Sequence, residues 1–195
     1  MHIESLAKLI APSAEEICVR AAAGGFQLPD SHGASPAEFL NELIAGGKLS
    51  EAVQFFAFAL PPREAVWWAC SCTRAHARDP LSPPLAEALD AAETWVRRPT
   101  EEHRRVAMQR AQATDFQSPA AWVAVAAFWS GGSMAPENLP ELPPAAHLLG
   151  IAVAGAITLA AVQSEPLAAD RKRQHYLASA VDIANGGSGR SAVGG

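Results

Sequence analysis

AAHLLGIAVAGAITLAAV, residues 145 to 162, carries no carboxylate, lysine or arginine, and its length approaches that of a membrane-spanning helix. Whether it crosses a bilayer or sits inside a protein decides the fold. Alanine and glycine dominate it, and these contribute little to bilayer insertion compared with Leu, Ile and Phe. The stretch therefore reads as a buried central helix, whose small residues let other helices approach closely, and a membrane span is the weaker reading.

Outward from there the chain has one repeated grammar, in which a capping residue or proline opens each helical segment and glycine or proline closes it. Ser35, Pro36 and Glu38 form a capping box ahead of the stripe Phe39, Leu40, Leu43 and Ile44, and Gly46-Gly47 ends it. Ser13 and Thr100 open two further segments, and Ser118 with Pro119 opens AAWVAVAAFW at 120 to 129. EAVQFFAFAL, 51 to 60, is apolar almost all round. Apolar residues make up 49% of 195 residues and there is one Tyr, a balance in which alanine favours helix over sheet. The expected fold is all-α: a single-domain irregular bundle of about eight helices at 1 to 185 around the Ala/Gly-rich helix, with a flexible tail at 186 to 195. Gly150, Ala154 and Gly155 are expected beneath Trp67, Trp68 or Trp129.

REAVWWACSC, 63 to 72, raises the question of chemistry. On a helix Cys70 and Cys72 project about 200° apart and cannot share a metal, whereas Cys72 and His76 can. Two ligands are too few for structural zinc, so no metal site and no cofactor is expected. Three cysteines, Cys18, Cys70 and Cys72, do not suggest a disulfide framework. The cysteines and tryptophans read first as core. The alternative is an enzyme or small-ligand binder whose pocket is lined by Trp67, Trp68, Trp122 and Trp129, with Cys72 or His76 as its polar group.

GGSMAPENLPELPP, 131 to 144, holds four of the fifteen prolines and cannot be regular helix. Such preorganised segments suit protein partners, and Met134, Glu137, Leu139, Glu141 and Leu142 are the candidate partner-binding residues. Arg97, Arg98, Arg104, Arg105 and Arg110 form a basic cluster offset by Glu93, Glu101 and Glu102; it reads as a solvated face, as does Arg171-Lys172-Arg173. The net charge of −5 provides no basic field for nucleic acid. The N-terminus lacks a basic region followed by an apolar run, so a cytoplasmic protein is expected.

The strings PPREAVWWAC (61 to 70), AAFWSGGSMAP (126 to 136) and HLLGIAVAGAITLAAV (147 to 162), in this order, resemble a poorly characterised family of small bacterial proteins often encoded near type VI secretion spike and effector components. The resemblance spans residues 45 to 185 and carries no catalytic residue across. It implies a non-enzymatic adaptor or chaperone accessory to secretion, whose partner is another protein such as a spike or effector component.

Overall fold

A computed structural model describes residues 1 to 75 and 80 to 190. Among them the chain forms nine α-helices and no strand: α1 Ala14–Ala23, α2 Pro36–Ala45, α3 Leu49–Ala59, α4 Pro62–Ala75, α5 Pro83–Arg97, α6 Glu101–Gln112, α7 Pro119–Phe128, α8 Leu148–Val162 and α9 Ala169–Ala184. A short 3-10 turn, Pro166–Ala168, leads into α9.

Local chemistry sets the helix starts. The side chains of Ser13, Ser35, Thr100 and Ser118 each accept a hydrogen bond from the backbone N–H three residues on, and Ser35 with Glu38 completes the capping box. Each such cap satisfies a donor that the first helical turn leaves free, worth about 1 kcal/mol.

The three most apolar helices, α3, α7 and α8, form the middle of the bundle. A helix with no polar face can only be covered on every side. α8 packs against α7, α3, α4 and α9, and eight of its residues are buried. Its 15 residues rise about 22 Å, short of the ~30 Å hydrocarbon layer. Among the described residues no single helix is long and apolar enough to cross a membrane.

Aromatic side chains lock the layers together. Trp68 is fully buried, meets Phe56 edge to face at 6.0 Å, and its indole donates to Tyr176 O at 2.8 Å. The Tyr176 hydroxyl in turn donates to Ala160 O at 3.3 Å, so α4, α8 and α9 are tied by two buried hydrogen bonds. The close approaches expected on α8 occur with other partners. Phe58 of α3, not a tryptophan, lies over Gly150, and it also faces Gly24, where a Cβ would stand 2.8 Å from the ring. Phe26 completes that cluster, edge-on to Phe58 at 5.5 Å. Gly155 sits near Trp122 rather than Trp67, Trp68 or Trp129, with 3.9 Å between its would-be Cβ and the indole.

Two charged residues expected on solvated faces are interior. Arg104 is 3% exposed and Lys172 2%. Lys172 donates to Ser164 Oγ at 3.0 Å; the surroundings of Arg104 belong to the loop that follows α7. Residues 186 to 190, expected to begin the tail, hydrogen-bond to α4 and α9 through Ser188 and Gly189.

Candidate functional site

The proline-rich loop starts at Gly131-Gly132, just beyond the Trp129 cap of α7. Gly132 has φ +65, and a Cβ there would lie 2.8 Å from both Arg104 Nε and Glu101 Oε2, so backbone conformation and clearance each call for glycine. The next residue, Ser133, gathers the neck of the loop. Its hydroxyl accepts the N–H groups of Ala135 (3.1 Å) and Leu142 (3.0 Å), while Met134 N–H donates to Leu142 O at 2.7 Å. Residues 134 to 142 therefore leave and return through one closed neck, as compact surface loops do. Inside the excursion Leu139 N–H donates to Pro136 O at 3.0 Å, forming a turn.

Arg104 holds this neck from α6. Its guanidinium donates to Phe128 O (2.5 Å), Ser133 O (2.6 Å) and both oxygens of Glu101 (2.6 and 2.7 Å), and it lies 4.3 Å from the centre of the Phe128 ring. A buried guanidinium is tolerated only when its donors are used, and four donated bonds and an aromatic face meet that need. The Arg104 hydrogen bonds hold the Glu101 carboxyl below its usual range. Arg105 adds a bond to Ala135 O at 3.0 Å and lies 2.7 Å from Glu101 Oε1, although its Nε–H does not point along that contact.

What the clamp presents is exposed. Leu139 and Leu142 are 54% and 56% exposed, and Glu137 and Glu141 are also on the surface, while Met134 at the neck is half-buried. Glu137 comes no closer to Arg105 Nε than 3.7 Å. The five residues expected to meet a partner thus share one loop. Beneath it lies a largely apolar cleft of about 380 Å³ bordered by Phe58, Leu60, Trp129, Gly131, Pro143 and Leu149, with Arg20 at its edge.

The tryptophan and cysteine residues proposed as one pocket do not converge. Trp68 and Cys72 are wholly buried, and burial pushes the Cys72 and Cys70 thiols well above the ordinary range, so neither supplies a thiolate. Trp122 and Trp129 pair edge to face at 6.4 Å, and Trp129 borders the cleft below the loop. Trp67 faces a different cleft. His76 lies outside the described residues. Neighbouring positions on α4 point in different directions, and this separates Trp67 from Trp68. Among the described residues no three His, Cys, Asp or Glu side chains come together as a metal ion would require.

A family model described as a family of unknown function, DUF6931, matches residues 39–184. The chain belongs to that family. The DUF6931 span runs from Phe39 in α2 to the last residue of α9, and contains Arg104, the whole loop and Trp67. Lys8, Ile10, Arg20 and Arg190 stand outside it. No curated protein and no solved structure matches the chain.

Sequence reasoning missed the clamp. Arg104 was one of five arginines in a charged segment, and its carbonyl partners, Phe128 and Ser133, are 24 and 29 positions away. The available signal was Gly132, a glycine that a helix stop alone does not require after Gly131.

Proposed function

We propose that this protein is a non-enzymatic interaction module that presents residues 134 to 142 to a protein partner, as a cytoplasmic adaptor or chaperone accessory to type VI secretion. The observation that carries the reading is the pairing of a rigid neck with an exposed apolar tip: Leu139 and Leu142 stand in water while Arg104 and Ser133 fix the loop's base. Ordering a loop before binding removes an entropy cost that association otherwise incurs, about 0.5 to 1.5 kcal/mol for each side chain immobilised. Prolines at 136, 140, 143 and 144 act in the same direction. The secretion context rests on the resemblance of the three quoted strings, with a spike or effector component as the partner.

The test is comparative co-purification from the native host, followed by reconstitution with the purified partner. The Leu139→Ser/Leu142→Ser variant should keep the wild-type melting temperature and bind about tenfold or more weakly. Equal recovery and equal affinity for the two proteins would overturn the reading.

A further inference from the structure

The second cleft, on the opposite chemistry, has about 320 Å³ and is formed by α4, the end of α5, the N-terminal segment and the turn after α9. Its floor is apolar: Trp67, half-buried, with Val96 and Ile183. Four cations border it, Lys8, Arg63, Arg97 and Arg190, against one carboxylate, Glu64. In a chain of net charge −5 this is a local reversal of sign.

Among the described residues, three of the four cations have no carboxylate partner. Arg63 Nε donates to Val96 O at 2.6 Å, which fixes the arm and leaves its two terminal nitrogens without a protein partner among the described residues. Arg97 pairs with Glu93 at 2.9 Å, but Glu93 also serves Arg74. Among the described residues no carboxylate lies within ion-pair distance of Lys8, Arg63 or Arg190.

Arg190 is placed there by a built turn. Gly189 N–H donates to Asp182 Oδ2 at 2.7 Å, and Gly187 N–H to Asp182 O at 2.8 Å. Gly186 and Gly189 have φ of +91 and +72, and a Cβ on Gly189 would lie 2.7 Å from Ile183 and from Ser179 Oγ. The Trp67 indole donates to Ser188 O at 2.7 Å, and the Arg190 guanidinium rests 5.1 Å from the centre of its ring. The glycines thus fold a segment that its composition alone would leave as coil, and the result is an arginine held over a tryptophan.

We propose that this cleft binds a phosphate monoester attached to a small planar or apolar body. Several guanidinium forks and an ammonium match the oxygens and the charge, about −1.5 to −2 at neutral pH, of a phosphomonoester better than a single carboxylate does. The floor of Trp67, Val96 and Ile183 takes the body. The volume is at the small end of ligand pockets, which fits a small molecule or one phosphorylated side chain. The site is separate from the 134 to 142 loop and does not depend on it.

The test follows the Trp67 indole N–H by heteronuclear NMR during titration with phenyl phosphate, inorganic phosphate, benzoate and a short phosphotyrosyl peptide. Phenyl phosphate should shift the signal saturably, more tightly than inorganic phosphate or benzoate, with weaker binding as salt rises. The Lys8→Gln/Arg190→Gln variant should raise Kd about tenfold or more at unchanged melting temperature. Arg97→Gln, on another helix, makes the same test if the double variant loses stability. A peptide bound tighter than phenyl phosphate identifies a protein side chain as the source, and equal binding identifies the free small molecule. The proposal is overturned by no saturable shift up to about 10 mM phenyl phosphate, by a Kd that these variants leave unchanged, or by benzoate binding as tightly.

Discussion

Two stretches of this chain that open on Gly-Gly-Ser, at 131 and at 186, look alike at their start and are held in place by opposite charges. In the first, a buried arginine on α6 grips carbonyl oxygens at the loop's neck. In the second, the carboxylate of an exposed aspartate on α9 accepts the Gly189 N–H of the turn that follows it. Burial is the difference that matters. Removing a buried charge's partner strands polar groups away from water, whereas groups around an exposed carboxylate can turn to solvent.

The comparison breaks most sharply at Arg104. Arg104→Ala should lower unfolding free energy by about 3 kcal/mol in urea titrations, because the Phe128 and Ser133 carbonyls lose their donor and a cavity opens beside the Phe128 ring. Asp182→Asn should cost under about 1 kcal/mol, since Asp182 is exposed and the amide oxygen can still accept the Gly189 N–H. A similar loss at both sites would mean that burial does not separate them.

Glycine substitutions separate crowding from backbone conformation at the first stretch, with Gly47 after α2 as the uncrowded reference. Gly132→Ala is expected to destabilise by about 2 kcal/mol, and Gly47→Ala, which shares a positive φ but meets nothing within 4 Å, by about 1 kcal/mol. The difference between these two melting curves measures the crowding by Arg104 and Glu101.

Acid provides the next test. The folded Glu101 carboxyl sits below its usual value near 4.5, so its contribution is fully present above that pH and is lost as pH falls through the lowered value. Protection factors of the Met134 and Leu142 amides, corrected for the intrinsic pH dependence of exchange, should fall on acidification below about pH 4.5, and Glu101→Gln should flatten that dependence.

The smallest effect is expected at the tip. Leu139→Ser with Leu142→Ser should change stability by less than about 0.5 kcal/mol, because both side chains are already in water, leaving binding as the readout.

The helices themselves were legible because their signals are local. Ser13, Ser35, Thr100 and Ser118 act within three residues of where they stand, and Gly46 ends α2 by its own backbone. The reading of 145 to 162 as an interior helix rested on composition and agrees with the packing of α8. The partners of distant residues were not legible. Within α6 only the helical face marks Arg104, which stands three and seven residues before the buried Ala107 and Ala111, and its partner carbonyl arrives from α7 at Phe128. The same limit hid the Trp67 cleft, whose cations come from the N-terminal segment, α4, α5 and the turn after α9. Composition misjudged 186 to 190 for a related reason: glycine frees a chain in isolation, yet the same lack of a side chain permits contacts with Asp182 and Ile183 that fix it.

Phe58 lies inside the family-matched span, but part of what covers it, Gly24 and Phe26, lies outside. The first 38 residues therefore act as a stopper over a hydrophobic hole in the matched core. A shortened protein beginning at Phe39 should retain α3 to α9 but stick to itself through the uncovered ring, and sedimentation should show that fragment more associated than the full chain at the same concentration.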